Sequence, residues 1–309
     1  MAHILSKSDL INDTYEVVFF IGEGAFGEVY RVKHKYFDDF QVMKVFKQEY
    51  TDNTDLNEII IEAQLLSKLT HPNIVRVFEV NEFLKKGTKY YFMTMSFVSG
   101  ESLTQLLRRK IQLDLPVATS IIMDVLAGLE IVHQNSPVIV HRDINTDNIL
   151  LSYDGMKPQG LLGDFGIARS LTQIDKLVGA GGRYLYFAPE CFWDCYLPAS
   201  DVFSLGIVFY KLLTGTSPWQ YDYDNYDMSD TSDVRVMINS GRNHKPIEPN
   251  IFNDQISDKL QRIVLRSIEK DMEKRYRTAV EFLSDLKGTE ALEDISMNYW
   301  DDQGLVSNT

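Results

Sequence analysis

The chain has 309 residues, of which 44% are apolar and 24% charged, and a formal net charge of −13. That length and apolar share exclude a disordered or fibrous chain and leave room for a sizeable core, enough for two closely joined lobes. The acidic balance argues against nucleic acid or an anionic membrane as partner and favours basic partners if it favours any.

Residues 1–14 carry neither the basic start nor the apolar run of a signal peptide and are read as an N-terminal extension. Residues 15–21, 28–34 and 40–46 are short β-type runs, the first two separated by a glycine-rich turn. A helix is expected over 56–69, then strands over 75–83 and 90–97, with a break at Val98-Ser99-Gly100 and a hinge near 97–100. Beyond it the pattern turns helical at 115–134, 200–213, 258–267 and 278–286, with short strands or loops between 138 and 162. The most apolar stretch, 202–213, is interrupted by Lys211 and is too short to cross a bilayer, so a cytoplasmic location is expected. A β-rich unit over 15–98, a mainly helical one over 99–288 and an acidic tail over 289–309 make an α+β plan. Cys191 and Cys195 would share one face of a helix and complete no zinc set, so they are expected to pack as small apolar residues in a reducing compartment.

The turn in the β-rich part reads Gly22-Glu23-Gly24-Ala25-Phe26-Gly27-Glu28-Val29. Glycines at these steps let backbone N–H groups approach phosphate oxygens where a Cβ would interfere. Dinucleotide-binding folds use the same spacing but open a helix directly afterwards. Here a strand follows, which fits a hairpin lid over a nucleotide. Lys44, one hairpin later in Gln41-Val42-Met43-Lys44-Val45, is placed to hold the α- and β-phosphates and needs a helix carboxylate to fix it. Glu62 is the preferred partner from its offset to His71-Pro72-Asn73, with Glu58, one turn earlier, as its rival.

The strongest signal is His141-Arg142-Asp143-Ile144-Asn145-Thr146-Asp147-Asn148, followed by Asp164-Phe165-Gly166. The two segments supply Asp143 to accept or orient the proton of an attacking hydroxyl, and Asn148 and Asp164 as hard oxygen ligands for Mg²⁺.

With these motifs the chain resembles the eukaryotic-like protein kinase superfamily from about residue 15 to about residue 286. The resemblance continues through Ala188-Pro189-Glu190, Ser200-Asp201-Val202-Phe203-Ser204-Leu205-Gly206 and Arg275-Tyr276. It implies a two-lobed kinase fold, ATP and Mg²⁺ as cofactors, and a protein substrate. It implies that Glu190 pairs with Arg275, that Asp201 braces the catalytic loop, and that Leu66, Val77, His141 and Phe165 form an apolar spine. By the same resemblance Gly22, Gly24, Gly27, Val29, Val42, Lys44, Met95, Ser96, Val98 and Leu150 surround the nucleotide, with Met95 as gatekeeper and 96–98 offering backbone hydrogen bonds to adenine. The run 269–278 is similar to the end of bacterial Ser/Thr kinase domains.

Three positions depart from the family pattern. Asn145 stands where Ser/Thr kinases place a lysine that reaches the γ-phosphate, a loss of roughly 3 kcal/mol of transition-state stabilisation. Arg183 stands where they usually place a threonine, and it is a candidate catalytic residue that returns the missing charge. Val42 replaces the small alanine above the adenine ring. The loop after Asp143 lacks the tyrosine-kinase pattern and Tyr186 follows the Ser/Thr style, so Ser/Thr kinase activity is expected. The alternatives are an ATP-binding pseudokinase, which Asn145 and Arg183 favour, and a small-molecule kinase, which Ala188-Pro189-Glu190 opposes. Arg142 could dock a phosphorylated loop, with Ser170, Thr172, Tyr184 and Tyr186 as acceptors and Thr172 preferred. The Tyr- and Asp-rich stretch 219–233 reads either as a loop favouring basic substrates or as a solvated insertion.

Overall fold

Alternating β-branched and aromatic side chains over 15–46 make three successive antiparallel strands. In a computed structural model, which describes residues 3–24, 27–47, 63–154, 157–165 and 181–289, these are β2 (Tyr15–Glu23), β3 (Gly27–His34) and β4 (Asp39–Phe46). With β1 (Leu10–Ile11), β5 (Val77–Lys85) and β6 (Thr88–Ser96) they form one sheet in the order β1-β2-β3-β4-β6-β5.

Register assigns the faces, because residues directly opposite in an antiparallel pair point to the same side. Tyr30 faces Met43, and Val45 faces Phe92; with Leu5, Ile11, Val17 and Phe83 they build the core on one side. Val29 faces Lys44, and Val42 faces Met95, which puts these four on the other side. The N-terminal residues join this unit rather than standing apart as an extension. Leu5 and Ile11 are buried, and the Ile4 and Leu5 amides donate to Glu28 Oε2 and Tyr30 Oη at 2.7 and 2.9 Å. The apolar pairs Ile4-Leu5 and Leu10-Ile11 fit neither a strand nor a helix period, so the burial of Leu5 and Ile11 left no mark in the sequence pattern.

Contacts divide the described residues into a first unit, comprising those up to 71 and 75–98, and a second comprising 72–74 and those from 99 on, with the boundary at Val98 and Ser99. Residues 72–74 go with the second unit because Asn73 Nδ2 donates to the Gly160 carbonyl at 2.9 Å and Ile74 bridges Leu162. Of the helix expected over 56–69, residues 63–67 are helical; Glu58 and Glu62 lie outside the described residues.

The second unit opens with β7 (Gly100–Ser102) and α1 (Leu103–Arg109), whose N-terminus is closed by a capping box of Ser102 and Gln105. Next come α2 (Leu115–His133), β8 (Ile149–Ser152), β9 (Gln159–Leu162) and the single turn α3 (Gly181–Tyr184). Then follow α4 (Pro198–Thr214), α5 (Thr231–Arg242), α6 (Asp258–Ser267) and α7 (Ala279–Lys287). Strands β7, β8 and β9 make a small antiparallel sheet.

Among the described residues, helix α2, not the stretch 202–213, is the one long and apolar enough to cross a membrane, and most of its apolar side chains from Val117 to Val132 are buried inside the unit, Ile131 being exposed. Helix α4 is buried on nearly every side, as expected of a central core helix. A Cβ on Gly206 would collide with Ser267 Oγ, so glycine there sets the close packing of α4 against α6. The stretch 219–233 is not wholly a loop, since α5 begins within it at Thr231. Asp230 accepts from the Ser232 and Asp233 amides as N-cap, and Asp227 and Asp233 close the turn before it. Cys191 and Cys195 do not share a helix face. A 3₁₀ turn over Pro189–Trp193 ends at Asp194 in the left-handed region, leaving Cys191 buried and Cys195 exposed.

Candidate active site

The loop 138–148 has almost no regular structure and is held from beneath by α4. Asp201, in the first turn of that helix, accepts from the His141 and Arg142 amides at 2.7 and 3.0 Å and lies 2.9 Å from His133 Nε2. Arg142 takes φ 66°, an unfavourable conformation for a long side chain, and the bond to Asp201 holds it there. His141 is fully buried, and burial pushes its pKa down. A neutral ring fits its bonds, with Nδ1 accepting from the Asp143 amide at 3.3 Å and Nε2 donating to the Gly163 carbonyl at 3.1 Å. The Asp201 brace implied by the kinase resemblance is thus present in the geometry.

Asp143 is buried, and its carboxylate gathers three side chains. Asn145 Nδ2 donates to Oδ1 at 3.0 Å, Asn148 Nδ2 to Oδ2 at 3.0 Å, and Arg183 Nη1 to Oδ2 at 3.2 Å. Both asparagines also donate to the Asp143 carbonyl, at 3.0 and 2.8 Å, which fixes their amide orientation. Asn145 Oδ1 accepts from the Asp147 amide at 2.8 Å, so Asn145 is fully used in shaping the loop. Asn148, with its nitrogen turned to Asp143, keeps Oδ1 as an acceptor that takes no hydrogen bond among the described residues.

Asp164 follows β9 with φ 49°. The Gly163 amide before it donates to the Asn148 carbonyl at 2.9 Å, which ties this turn to the catalytic loop. The Phe165 ring lies 4.5 Å from that of His141. These are two of the four spine residues; Leu66 and Val77 are buried in the first unit.

Beyond α3, Glu190 pairs with Arg275 through two bonds of 2.7 and 3.2 Å and accepts from Ser200 Oγ at 2.7 Å. Burial pushes the Glu190 pKa up, but the Arg275 bonds and charge outweigh it and hold the carboxyl below its ordinary range. The pair implied by the resemblance is therefore formed, with the Arg275 side chain fully buried.

Arg242, at the end of α5, was not visible as a functional residue in the sequence. Its guanidinium donates to the Phe187 and Leu185 carbonyls at 2.6 and 2.8 Å and holds the segment that follows Arg183. A lone arginine at the end of an unrecognised helix gives no signal of this. Tyr184 and Tyr186 are buried, which removes them as phosphate acceptors in this state; Ser170 and Thr172 lie outside the described residues.

In the first unit, Val29, Val42, Lys44 and Met95 share the sheet face opposite the core, as register requires. A Cβ on Gly27 would collide with the Val45 carbonyl, so packing alone demands that glycine. Gly22 and Gly24 meet no such constraint. A Cβ on Gly22 would have nothing within 4 Å among the described residues. The Ser96 amide donates to the Arg76 carbonyl at 2.8 Å, so of the adenine contacts expected from 96–98 this one is not available. Val98 ends the first unit, and Leu150 lies on β8 opposite Ser102 and Leu161 in the second.

A β-sheet unit and a helical unit carrying a braced His-Arg-Asp loop define a phosphotransferase-type fold of the protein kinase kind. The protein kinase domain family model matches residues 15–285, and the chain belongs to that family. It is 31% identical over 284 residues to a probable serine/threonine-protein kinase of Clostridium perfringens, covering 90% of this chain and 38% of that protein. It is 30% identical over 282 residues to the serine/threonine-protein kinase PknB of Mycobacterium leprae, covering 89% of this chain and 43% of that one. The chain thus spans about two fifths of the length of these curated relatives. The crystal structure of the Mycobacterium tuberculosis PknI kinase domain shares the fold, with a TM-score of 0.67 at 24% identity over 92% of this chain and 98% of that one.

Proposed function

We propose that the chain transfers the γ-phosphate of ATP to Ser/Thr hydroxyls of protein substrates, with Mg²⁺ bound by Asn148 and Asp164. The observation that carries this reading is the buried Asp143 carboxylate held by Asn145, Asn148 and Arg183 at 3.0–3.2 Å. The serine/threonine-protein kinase names of the curated relatives support it.

Asp143 orients the acceptor hydroxyl and takes its proton as the new O–P bond forms; the bond from the γ-phosphorus to the bridging oxygen breaks and ADP leaves. Lys44 holds the α- and β-phosphates, and the backbone at Gly22, where a Cβ would have nothing within 4 Å among the described residues, leaves room for phosphate oxygens; the Gly24 amide already donates to the Gly27 carbonyl at 2.8 Å. Asn148 Oδ1 and the Asp164 carboxylate are hard oxygen donors that fit Mg²⁺, which when bound offsets the charge of the β- and γ-phosphates. Arg183 puts a fixed cation beside Asp143, where Asn145 leaves the loop without the usual lysine.

Incubation with radiolabelled ATP, Mg²⁺ and a generic protein substrate should give labelled phosphoserine or phosphothreonine, lost in Asp143→Ala. Nucleotide binding without any Asp143-dependent transfer would instead establish a pseudokinase.

A further inference from the structure

Two cavities of the second unit meet at Lys211, near the C-terminal end of α4. The larger, of about 750 Å³, runs from Gly182, beside Arg183, past Tyr186 to Trp219 and Tyr223. The smaller, of about 350 Å³, is lined by Thr104, Arg108, Ile111 and Thr146. Lys211 and Gly215 line both. Thr146 follows Asp143 by three residues in the catalytic loop, and its Oγ1 lies 3.1 Å from Tyr186 Oη. The two hollows therefore abut the loop and the segment that surround Asp143.

Their charge is unlike that of the rest of the chain. In a protein of net charge −13, the charged side chains lining these cavities, among the described residues, are Lys211 and Arg108, both positive. Lys211 is half-buried, and its ammonium makes a long hydrogen bond of 3.4 Å to Tyr186 Oη. It makes no ion pair among the described residues. The aspartates of 222–233 do not line either cavity: Asp222 accepts from Asn225, and Asp227, Asp230 and Asp233 close turns and cap α5. These carboxylates keep their charge, but they are turned to local partners outside the hollows, and the charged groups on the cavity walls themselves, among the described residues, are the two cations.

We propose that these cavities form a docking groove for an anionic side chain of the protein substrate close to the acceptor hydroxyl, with Lys211 as its specificity-determining residue and Arg108 as a second cation at its edge. This rests on the kinase reading above and replaces a basic substrate with an acidic one. Aspartate, glutamate and a phosphorylated residue share the required chemistry. A partly desolvated ammonium beside an apolar wall discriminates by charge through attraction to the correct sign and repulsion of the other.

The test uses the full chain and fluorescent serine peptides in a neutral background, with glutamate, phosphoserine, alanine or lysine placed at each flanking position. Binding is read by fluorescence anisotropy, and phosphate transfer is measured in parallel. We expect glutamate or phosphoserine peptides to bind about tenfold more tightly than the lysine peptide at one or more positions. Lys211→Glu should reverse that order, and Lys211→Met should level it without introducing a new carboxylate. Arg108→Glu, on an exposed helix surface, should weaken the preference in a fold that is otherwise unperturbed. Response to phosphoserine but not to glutamate would identify a phosphorylated neighbour as the anion. A wild-type preference for lysine, or an unchanged order in both Lys211 variants, would overturn the proposal. Because binding needs no turnover, a charge preference without transfer counts against the kinase reading alone, and transfer without a charge preference counts against the groove alone.

Discussion

Replacing Arg183 by alanine removes a fixed cation 3.2 Å from the catalytic carboxylate. At the observed 3.2 Å separation, an effective dielectric of about 20 gives an interaction of about 5 kcal/mol. The Arg183 side chain is 29% exposed, so solvent screening lowers the usable share to about 3 kcal/mol. Since that charge acts where negative charge moves during transfer, Arg183→Ala should lower kcat by roughly a hundredfold and leave peptide KM within about threefold. Asn145→Lys alone should not improve the enzyme, because the new ammonium would compete with Arg183 for the same carboxylate. The pair Asn145→Lys with Arg183→Thr, which restores the arrangement usual in Ser/Thr kinases, should recover most of the rate. The cycle should then show a coupling of more than about 1 kcal/mol. Steady-state kinetics on one serine peptide measures every corner. A kcat for Arg183→Ala within about twofold of wild type, or strictly additive variants, would refute the compensation.

Arg275→Met leaves the Glu190 carboxylate buried without its partner and should destabilise the second unit by about 3–5 kcal/mol, read as a drop in denaturant midpoint. Glu190 has a lowered folded-state pKa, so its contribution is complete above the ordinary value of 4.5 and is lost as pH falls through the depressed one; Glu190→Gln should flatten the acid limb of the stability profile there. Gly27→Ala should lower Tm because its Cβ meets the Val45 carbonyl, whereas Gly22→Ala should leave Tm unchanged and weaken Mg-ATP binding in calorimetry. Burial pushes the Cys191 thiol up to about 12, so native alkylation near pH 8 should stop at one equivalent, found at Cys195 by mass spectrometry.

What could be read from the sequence follows from how local each signal is. Strands β2, β3 and β4 and helix α6 were legible because alternation and helical period are carried within ten residues or so. The catalytic loop was legible because its chemistry needs fixed residue types at fixed spacing. Helix α5 was missed because the Asp- and Tyr-rich run before it reads as solvated loop, and its capping aspartate looked like one acid among several. Arg242 was missed for a different reason: its partners are the carbonyls of 185 and 187, and a backbone acceptor has no sequence signature. The burial of Leu5 and Ile11 against β2 and β3 is likewise a long-range fact that a short stretch without a regular apolar period cannot announce.

Helix α4 links the catalytic loop to the groove, and its geometry limits where a substrate's anion can lie. Asp201, Ser204 and Lys211 are spaced by three and seven residues, so they fall within one sector of the helix. The first braces the backbone of His141 and Arg142, the second donates to the Tyr186 carbonyl at 2.8 Å, and the third stands where the two cavities meet. Ten residues of α-helix separate Asp201 from Lys211, on the order of 15 Å along the axis. An extended peptide covers that distance in about four or five residues. An anion that reaches Lys211 while its neighbouring hydroxyl reaches Asp143 must therefore lie within a few residues of the acceptor, and the buried, inflexible α4 keeps that spacing fixed.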